Sequence, residues 1–197
     1  QFGVRADVTS AGTLLYNSPG ENAVGTNPMR VFPDLPQILA NQTNAETGSC
    51  LGFSGLAQLN CFSEFLPTAA YVGFAGVNAE PSLNFKLTVR DGRGGVNSAT
   101  TKLFLATGAG PFLVTAPNTA ATLEGGMPTT VTWNVAGTNA APVNAANVRI
   151  MLSIDGGLSY PFTLAAQTPN DGSEVVTLPI VATSAARVKV EAVGNVF

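Results

Sequence analysis

Apolar and polar residues alternate along several short stretches of this chain. In the clearest one, Val148, Ile150, Leu152 and Ile154 recur at every second position. This period of two predicts a β-strand with one face in a core and one face nearer solvent. Five further short strands are predicted at 112–116, 129–135, 162–167, 174–178 and 186–192. Short strands separated by turn residues, without helical periodicity, predict an immunoglobulin-like or fibronectin-III-like β-sandwich over 111–197.

The first half of the chain shows weaker patterns. Leu83, Phe85, Leu87 and Val89 alternate with polar residues and predict a half-buried strand, and 99–106 predicts the strand that returns beside it. We expect this hairpin to close a first β-sandwich-like domain over 1–107, truncated at its N-terminus. Earlier, Val8 and Leu14 indicate one or two further strands. The chain as a whole is therefore predicted to be all-β, with two tandem sandwich domains.

One short helix and one long loop interrupt this first domain. Leu35, Ile38 and Leu39 share one helical face after Asp34, a residue suited to capping, which predicts a helix that ends at Asn41. Residues 42–70 are predicted to form a long surface loop that carries both cysteines. A loop of that length needs to be held in place.

The two cysteines are separated by eleven positions, at Cys50 and Cys61, and the chain has no histidine. A zinc site needs more ligands than this pair offers. A local disulfide that staples the loop is the simpler interpretation, and it implies a secreted, cell-surface or periplasmic protein.

The strand from Val148 leads into a turn with a recognisable motif. Ser153, Asp155, Gly157 and Ser159 resemble the Asp-box, a hairpin motif that recurs in secreted β proteins. We expect the Asp155 carboxylate and the serine hydroxyls to bond the turn backbone. A role in binding a metal or a substrate is the alternative.

The single tryptophan, Trp133, lies between Val131 and Val135 at alternating positions. This spacing places it on the inward face of its strand as a core anchor, with a sugar-stacking platform as the alternative.

The six predicted strands leave one sheet of a seven-stranded sandwich without its last strand. That strand lies beyond Phe197, or another chain supplies it.

Composition and charge exclude several functions. Charged residues make up 11% of the chain and the net charge is −3, with the nine basic residues scattered. Nucleic-acid binding is not expected, because no basic patch could neutralise phosphates. No apolar run approaches the ~18 residues that a membrane-spanning helix needs. Serine or cysteine nucleophiles normally need a positioned base, and histidine is absent.

Calcium is the one metal that the sequence leaves open. Asp91, Asp155 and Asp171 each precede glycine in a predicted turn, and carboxylates in turns are oxygen ligands of the kind calcium prefers. Asp-Gly is also ordinary turn chemistry. The absence of a dense acidic cluster favours the turn interpretation, so no cofactor is predicted.

Several stretches together resemble one family, and they are LTVRDGRGGV (87–96), GPFLVTAPN (110–118), VTWNVAGT (131–138), TPNDGS (168–173) and ARVKVEAVGN (186–195). They are similar to the non-catalytic C-terminal region of secreted bacterial reprolysin-like zinc metallopeptidases. FPDLPQILANQT (32–43) resembles a short helix of that family in part. The resemblance implies accessory immunoglobulin-like domains, with the catalytic domain of the same precursor as a partner.

The resemblance carries over no catalytic residue. The family's zinc-binding helix has the pattern HExxHxxGxxH, and this chain has no histidine, so zinc would belong to a catalytic domain outside it. We therefore expect the chain itself not to be an enzyme. Its accessory domains would bind substrate or a protein or glycan surface, or mask the enzyme. The rival hypothesis is a carbohydrate- or host-binding adhesin module with no protease attached.

Overall fold

In a computed structural model, the structure describes residues 32–44, 47–68 and 82–197. The chain divides into two compact units, Gln1–Leu105 and Ala106–Phe197. The strands of the described residues form three antiparallel sheets, which confirms the all-β class. The strands predicted near Val8 and Leu14 lie outside the described residues.

The first unit contains two helices and one hairpin among its described residues. Helix α1 spans Leu35–Leu39, which confirms the short helix that the sequence predicts. Helix α2 spans Gly55–Ser63 and was not predicted. Strands β1 (Ser82–Arg90) and β2 (Val96–Phe104) pair in an unbroken antiparallel register. The sandwich predicted over 1–107 stays a prediction, because the described part shows only this one sheet of the first unit.

The disulfide between Cys50 and Cys61 is present, but its setting differs from the expected loop. Cys61 lies within α2, so part of the predicted long loop is helical. Both cysteines are buried together with Phe62 and Phe65, whose rings meet edge to face at 5.5 Å. The disulfide therefore joins the helix to the segment before it.

The β1–β2 hairpin is less buried than its alternation predicts. Leu83 and Phe85 are half-buried, and the Phe85 ring packs edge to face on Phe32 at 5.2 Å between centroids. Leu87 and Val89 are exposed. The expected half-buried face is thus confirmed only for the first part of β1, and it is wrong for the second part within the described structure.

All six strands predicted for the second unit are present, each within about two residues of its expected bounds. They are β3 (Leu113–Ala116), β4 (Pro128–Asn134), β5 (Asn147–Ser153), β6 (Phe162–Pro169), β7 (Ser173–Thr177) and β8 (Arg187–Ala192). They form two three-stranded sheets, with the orders β3-β4-β7 and β6-β5-β8. Each of these sheets contributes residues to one shared core, so the second unit is a β-sandwich.

The core of the second unit is built from alternate residues of both sheets. Its buried members are Val131, Trp133, Val148, Ile150, Val176 and Val190. Each fully buried valine or isoleucine stabilises the fold by roughly 2 kcal/mol relative to an exposed one. This core fixes the two sheets face to face and so positions the turns at their ends.

Candidate functional site

The turn after β5 is held by side chains rather than by the backbone alone. Oδ1 of Asp155 accepts hydrogen bonds from Ser153 Oγ at 2.7 Å and from Ser159 N at 2.9 Å. Oδ2 of Asp155 accepts one from Ser159 Oγ at 2.6 Å. Ser153 Oγ in turn accepts a bond from Gly157 N at 2.8 Å. The expected bonds between the motif residues and the turn backbone are therefore present.

Hydrogen bonding within the turn also sets the charge state of Asp155. The bonds from the Ser159 and Ser153 hydroxyls lower the pKa of Asp155 from 3.8 to about 2, because they stabilise the ionised carboxylate. Both carboxylate oxygens are engaged in these bonds. The arrangement therefore favours a charged, internally bonded aspartate that shapes the turn.

The turn is anchored on its other side to the segment that leads into β8. Gly156 N donates to Ala185 O at 2.9 Å, and Thr183 Oγ1 donates to Ile154 O at 2.8 Å. Gly157 has a φ of 97°, a conformation that side-chain-bearing residues rarely adopt. The motif thus fixes the β5–β6 connection and the entry to β8 together.

The asparagine Asn170 organises a buried polar network in the second unit. Its Oδ1 accepts a hydrogen bond from Trp133 Nε1 at 2.8 Å. Its Nδ2 donates to Thr138 Oγ1 at 3.0 Å and to Ala145 O at 2.9 Å. Trp133, Thr138 and Asn170 are all buried. Because each of these buried polar groups has a partner, burial of the network does not leave an unsatisfied group.

The sequence identified Trp133 as a core residue, and the structure buries it to 4% exposure. Its indole lies in the sandwich core and its N–H is already engaged, so the ring offers no face to a sugar. The role of Asn170 was missed. The only signal in the sequence was its place in TPNDGS, one of the stretches that carries the family resemblance.

The three aspartates considered for calcium lie in three separate turns. Asp91 Oδ1 accepts bonds from Arg93 N at 2.7 Å and Gly95 N at 2.9 Å. Asp171 Oδ1 accepts one from Ser173 N at 3.3 Å. Within the described ranges, no group of three histidine, cysteine, aspartate or glutamate residues is placed to hold a metal ion. Each aspartate bonds its own turn backbone, which is the local role of Asp-Gly turns.

The second unit has three basic residues, and all of them lie on the outward side of β5 and β8. They are Arg149, Arg187 and Lys189, and we call the surface that they form the basic face. Lys189 Nζ is 2.7 Å from Glu191 Oε2, and Arg149 is 3.4 Å from the other oxygen of Glu191. Lys189 Nζ also lies 4.4 Å from the centroid of the Tyr160 ring. This face was not predicted, because the sequence alone shows the three cations as scattered.

Burial raises the pKa of the Tyr160 phenol, and the charge of Arg187 opposes that rise. The phenol therefore remains protonated at neutral pH and presents an aromatic ring to Lys189. Exposed ion pairs of this kind contribute at most about 1 kcal/mol each to stability. Glu191 and the Asp155 carboxylate both lie near Tyr160, so they offset part of the positive charge of the basic face.

Comparison of the chain with known protein families, characterised proteins and solved structures finds no match. Among the described residues, no helix has the length and apolar character needed to cross a membrane.

Proposed function

We propose that this chain comprises the non-catalytic accessory domains of a secreted metalloprotease, which bind substrate or a surface or mask the enzyme. The observation that carries the proposal is where the family-like stretches fall in the second unit. Residues 131–138 supply Trp133 and Thr138, and 168–173 supply Asn170, so two of these stretches meet in one buried network. Stretches that carry the family resemblance therefore also form the structural framework of the sandwich, and this supports the proposal.

The distribution of polar side chains in the second unit also fits a non-catalytic role. The best-defined motif uses its aspartate and serines inside a turn, and the buried network satisfies its own hydrogen bonds. In a catalytic site, nucleophiles and bases face a substrate and have perturbed protonation equilibria suited to proton transfer. The lowered pKa of Asp155, at about 2, makes it a poor general base near neutral pH.

Secretion is part of the proposal. The buried disulfide between Cys50 and Cys61 is typical of proteins that mature in an oxidising compartment. We infer that the parent protein is exported and that the accessory domains act outside the cell.

The decisive experiment examines the native polypeptide. Antibodies against the 197-residue chain are used to isolate the protein from the culture of its source, and the product is sequenced by mass spectrometry. The expected result is one polypeptide that contains both these residues and an HExxHxxGxxH helix. A polypeptide without such a helix, which binds to a glycan array, would instead establish the adhesin alternative.

A further inference from the structure

Three Asp-Gly pairs in this chain offer the same reactive chemistry in three different turns. They are Asp91-Gly92, Asp155-Gly156 and Asp171-Gly172. In such a pair the backbone nitrogen of the glycine can attack the carboxyl carbon of the aspartate, because glycine has no Cβ to hinder the approach. The sequence next to each aspartate is the same, so differences in reactivity must come from the folded structure.

The reaction rearranges the main chain without oxidation or reduction. The glycine nitrogen forms a bond to Cγ of the protonated aspartate, and the carboxyl hydroxyl leaves as water together with the amide proton. Water then adds to the main-chain carbonyl carbon of the five-membered imide, and the bond from that carbon to the nitrogen breaks. The product is isoaspartate, in which the chain continues through the side-chain carboxyl group and is one methylene longer.

The turn at Asp91 has the hydrogen bonds that favour this attack. Its Oδ1 accepts bonds from two backbone amides, Arg93 N at 2.7 Å and Gly95 N at 2.9 Å. Paired backbone donors of this kind stabilise the negative charge that develops on an oxygen when its carbon is attacked. Among the described residues, no hydrogen bond engages Asp91 Oδ2 or Gly92 N, so one oxygen is free to leave and the nitrogen is free to attack.

Gly95 allows the carboxyl group of Asp91 to lie close to the turn backbone. A Cβ at Gly95 would lie 2.5 Å from Asp91 Oδ2, so a side chain there would displace the carboxyl group. The turn is closed by a bond from Asp91 N to Gly95 O at 3.2 Å, and residues 91–95 are all exposed. Water, which the second step consumes, therefore has direct access to Asp91.

The Asp155-Gly156 pair is protected in two ways. Gly156 N donates to Ala185 O at 2.9 Å, which fixes the amide that would have to attack. Both carboxylate oxygens accept hydrogen bonds from Ser153 or Ser159, so neither is free to leave. These bonds also lower the pKa of Asp155 from 3.8 to about 2, which reduces the reactive protonated fraction more than about tenfold.

The Asp171-Gly172 pair is held by the buried network of the second unit. Asn170, which precedes it, accepts the buried side-chain bond from Trp133. Gly172 O accepts a further bond from Trp133 N at 2.9 Å. Attack of Gly172 N on Asp171 would have to rotate the backbone between these two anchors, so we expect this pair to react slowly.

We propose that Asp91 is a site of spontaneous modification, at which the β1–β2 turn promotes conversion of aspartate to isoaspartate while the other two Asp-Gly pairs stay intact. No enzyme, metal or cofactor takes part. The product lengthens the turn and leaves a main-chain carboxylate there, so it marks aged molecules. This inference stands apart from the metalloprotease proposal, because it depends only on the hairpin turn.

The test compares the three pairs within one molecule. The purified 197-residue chain is incubated for weeks at mildly acidic pH, both folded and in guanidinium chloride, and peptides that span each pair are isolated. Electron-transfer fragmentation distinguishes aspartate from isoaspartate, which have the same mass. In the folded chain, isoaspartate should form at Asp91 at least about tenfold faster than at Asp155 or Asp171. In the denatured chain the three rates should agree within about threefold.

Gly95→Ala tests the role of the turn directly. The added Cβ should displace the carboxyl group from its two amide donors and slow isoaspartate formation at Asp91 about fivefold or more. Gly108→Ala, which adds a Cβ where no atom lies within 4 Å, is its control and should react like the wild type. Unchanged amide exchange in β1 and β2 verifies that the hairpin is intact. The comparison of folded and denatured wild type needs no variant, so it decides the matter if Gly95→Ala disturbs the hairpin.

Three results would overturn the proposal. One is a rate at Asp91 in the folded chain that is no higher than the rate at Asp155 or Asp171. Another is the same preference for Asp91 in guanidinium chloride, because the local sequence rather than the folded turn would then select it. The third is an unchanged rate at Asp91 in Gly95→Ala with an intact hairpin.

Discussion

Trp133 and Asn170, which are 37 residues apart in the chain, are joined by a buried 2.8 Å hydrogen bond from the indole Nε1 to the amide Oδ1. Asn170→Ala would leave the Trp133 N–H and the Ala145 carbonyl without partners inside the sandwich. We expect the free energy of unfolding of the second unit to fall by about 3 kcal/mol. Urea denaturation followed by the fluorescence of the single tryptophan measures this directly.

The control for that experiment is Asn118→Ala, because Asn118 is exposed in the loop after β3. Its effect should stay within about 0.5 kcal/mol. Equal denaturation midpoints for Asn170→Ala and the wild type would show that the network does not stabilise the sandwich.

The stability contributed by Asp155 should depend on pH. Its pKa is about 2 in the folded chain and 3.8 without the turn, so the folded state favours the ionised form. The stabilisation is complete above about pH 4 and is lost as the pH falls toward 2. In thermal melts across this window, the melting temperature should therefore fall more steeply with decreasing pH for the wild type than for Asp155→Asn.

Asp171→Asn is the matched control, because the Asp171 carboxylate accepts only one longer bond, at 3.3 Å from Ser173 N. It should lower the melting temperature less than Asp155→Asn at neutral pH. The same melts with added calcium test the ligand alternative. If Asp155→Asn melted like the wild type but lost a calcium-induced shift, Asp155 would be a metal ligand rather than a turn residue.

Gly157 should tolerate no side chain. Its φ of 97° is strained for any other residue, and a β-branched one fits worst. Gly157→Val is expected to destabilise the second unit by roughly 2 kcal/mol or more. Gly108→Ala is the control, because Gly108 has an ordinary φ and open space where a Cβ would be placed. Similar urea midpoints for the two variants would contradict this expectation.

The disulfide should stabilise the first unit alone. Closure of a loop of eleven positions contributes at most about 3 kcal/mol in the chain-entropy model. We expect Cys50→Ser/Cys61→Ser to speed amide exchange in 47–68 and to leave exchange in β4 and β5 unchanged. Thiol titration of the denatured, unreduced wild type should find no free cysteine. Detection of two thiols per chain would refute the assignment.

The purified chain should neither hydrolyse casein nor retain stoichiometric zinc, because it has no histidine to supply a zinc-binding helix. Elemental analysis and a casein assay after several chromatographic steps measure both properties. Chelator-sensitive proteolysis that co-elutes with the chain through all of these steps would contradict this prediction.

The sequence predicted the second unit well because its strands are short, alternating and bounded by turn residues. Asn147–Ser153 was expected one residue later, and the inward position of Trp133 followed from its apolar neighbours at alternate positions. The partner of that tryptophan was not predictable. Contact between Trp133 and Asn170 depends on how β4 meets the turn after β6, and no local pattern encodes that distance.

The first unit was harder to predict for a different reason. Helix α2 begins after Ser54, a residue type suited to capping, but the Ser54 side chain makes no cap bond, glycine occupies the first helical position and no clear apolar period marks the helix. Its position depends on contacts made elsewhere in the unit, such as the bond from Asp34 N to Glu64 Oε2 at 2.8 Å.

The bonds between the Asp155 turn and the segment before β8 decide where this domain can be modified. Ala185 and Thr183 are each hydrogen-bonded to the turn, so a peptide inserted between them would disturb both β5 and β8. Residues 119–123 are exposed, and no backbone hydrogen bond outside helices and strands involves them among the described residues. Exposed chain of this kind accepts insertions most readily. An affinity tag or a fluorescent label is therefore best inserted at 119–123, where it should leave the pairing register of the strands unchanged.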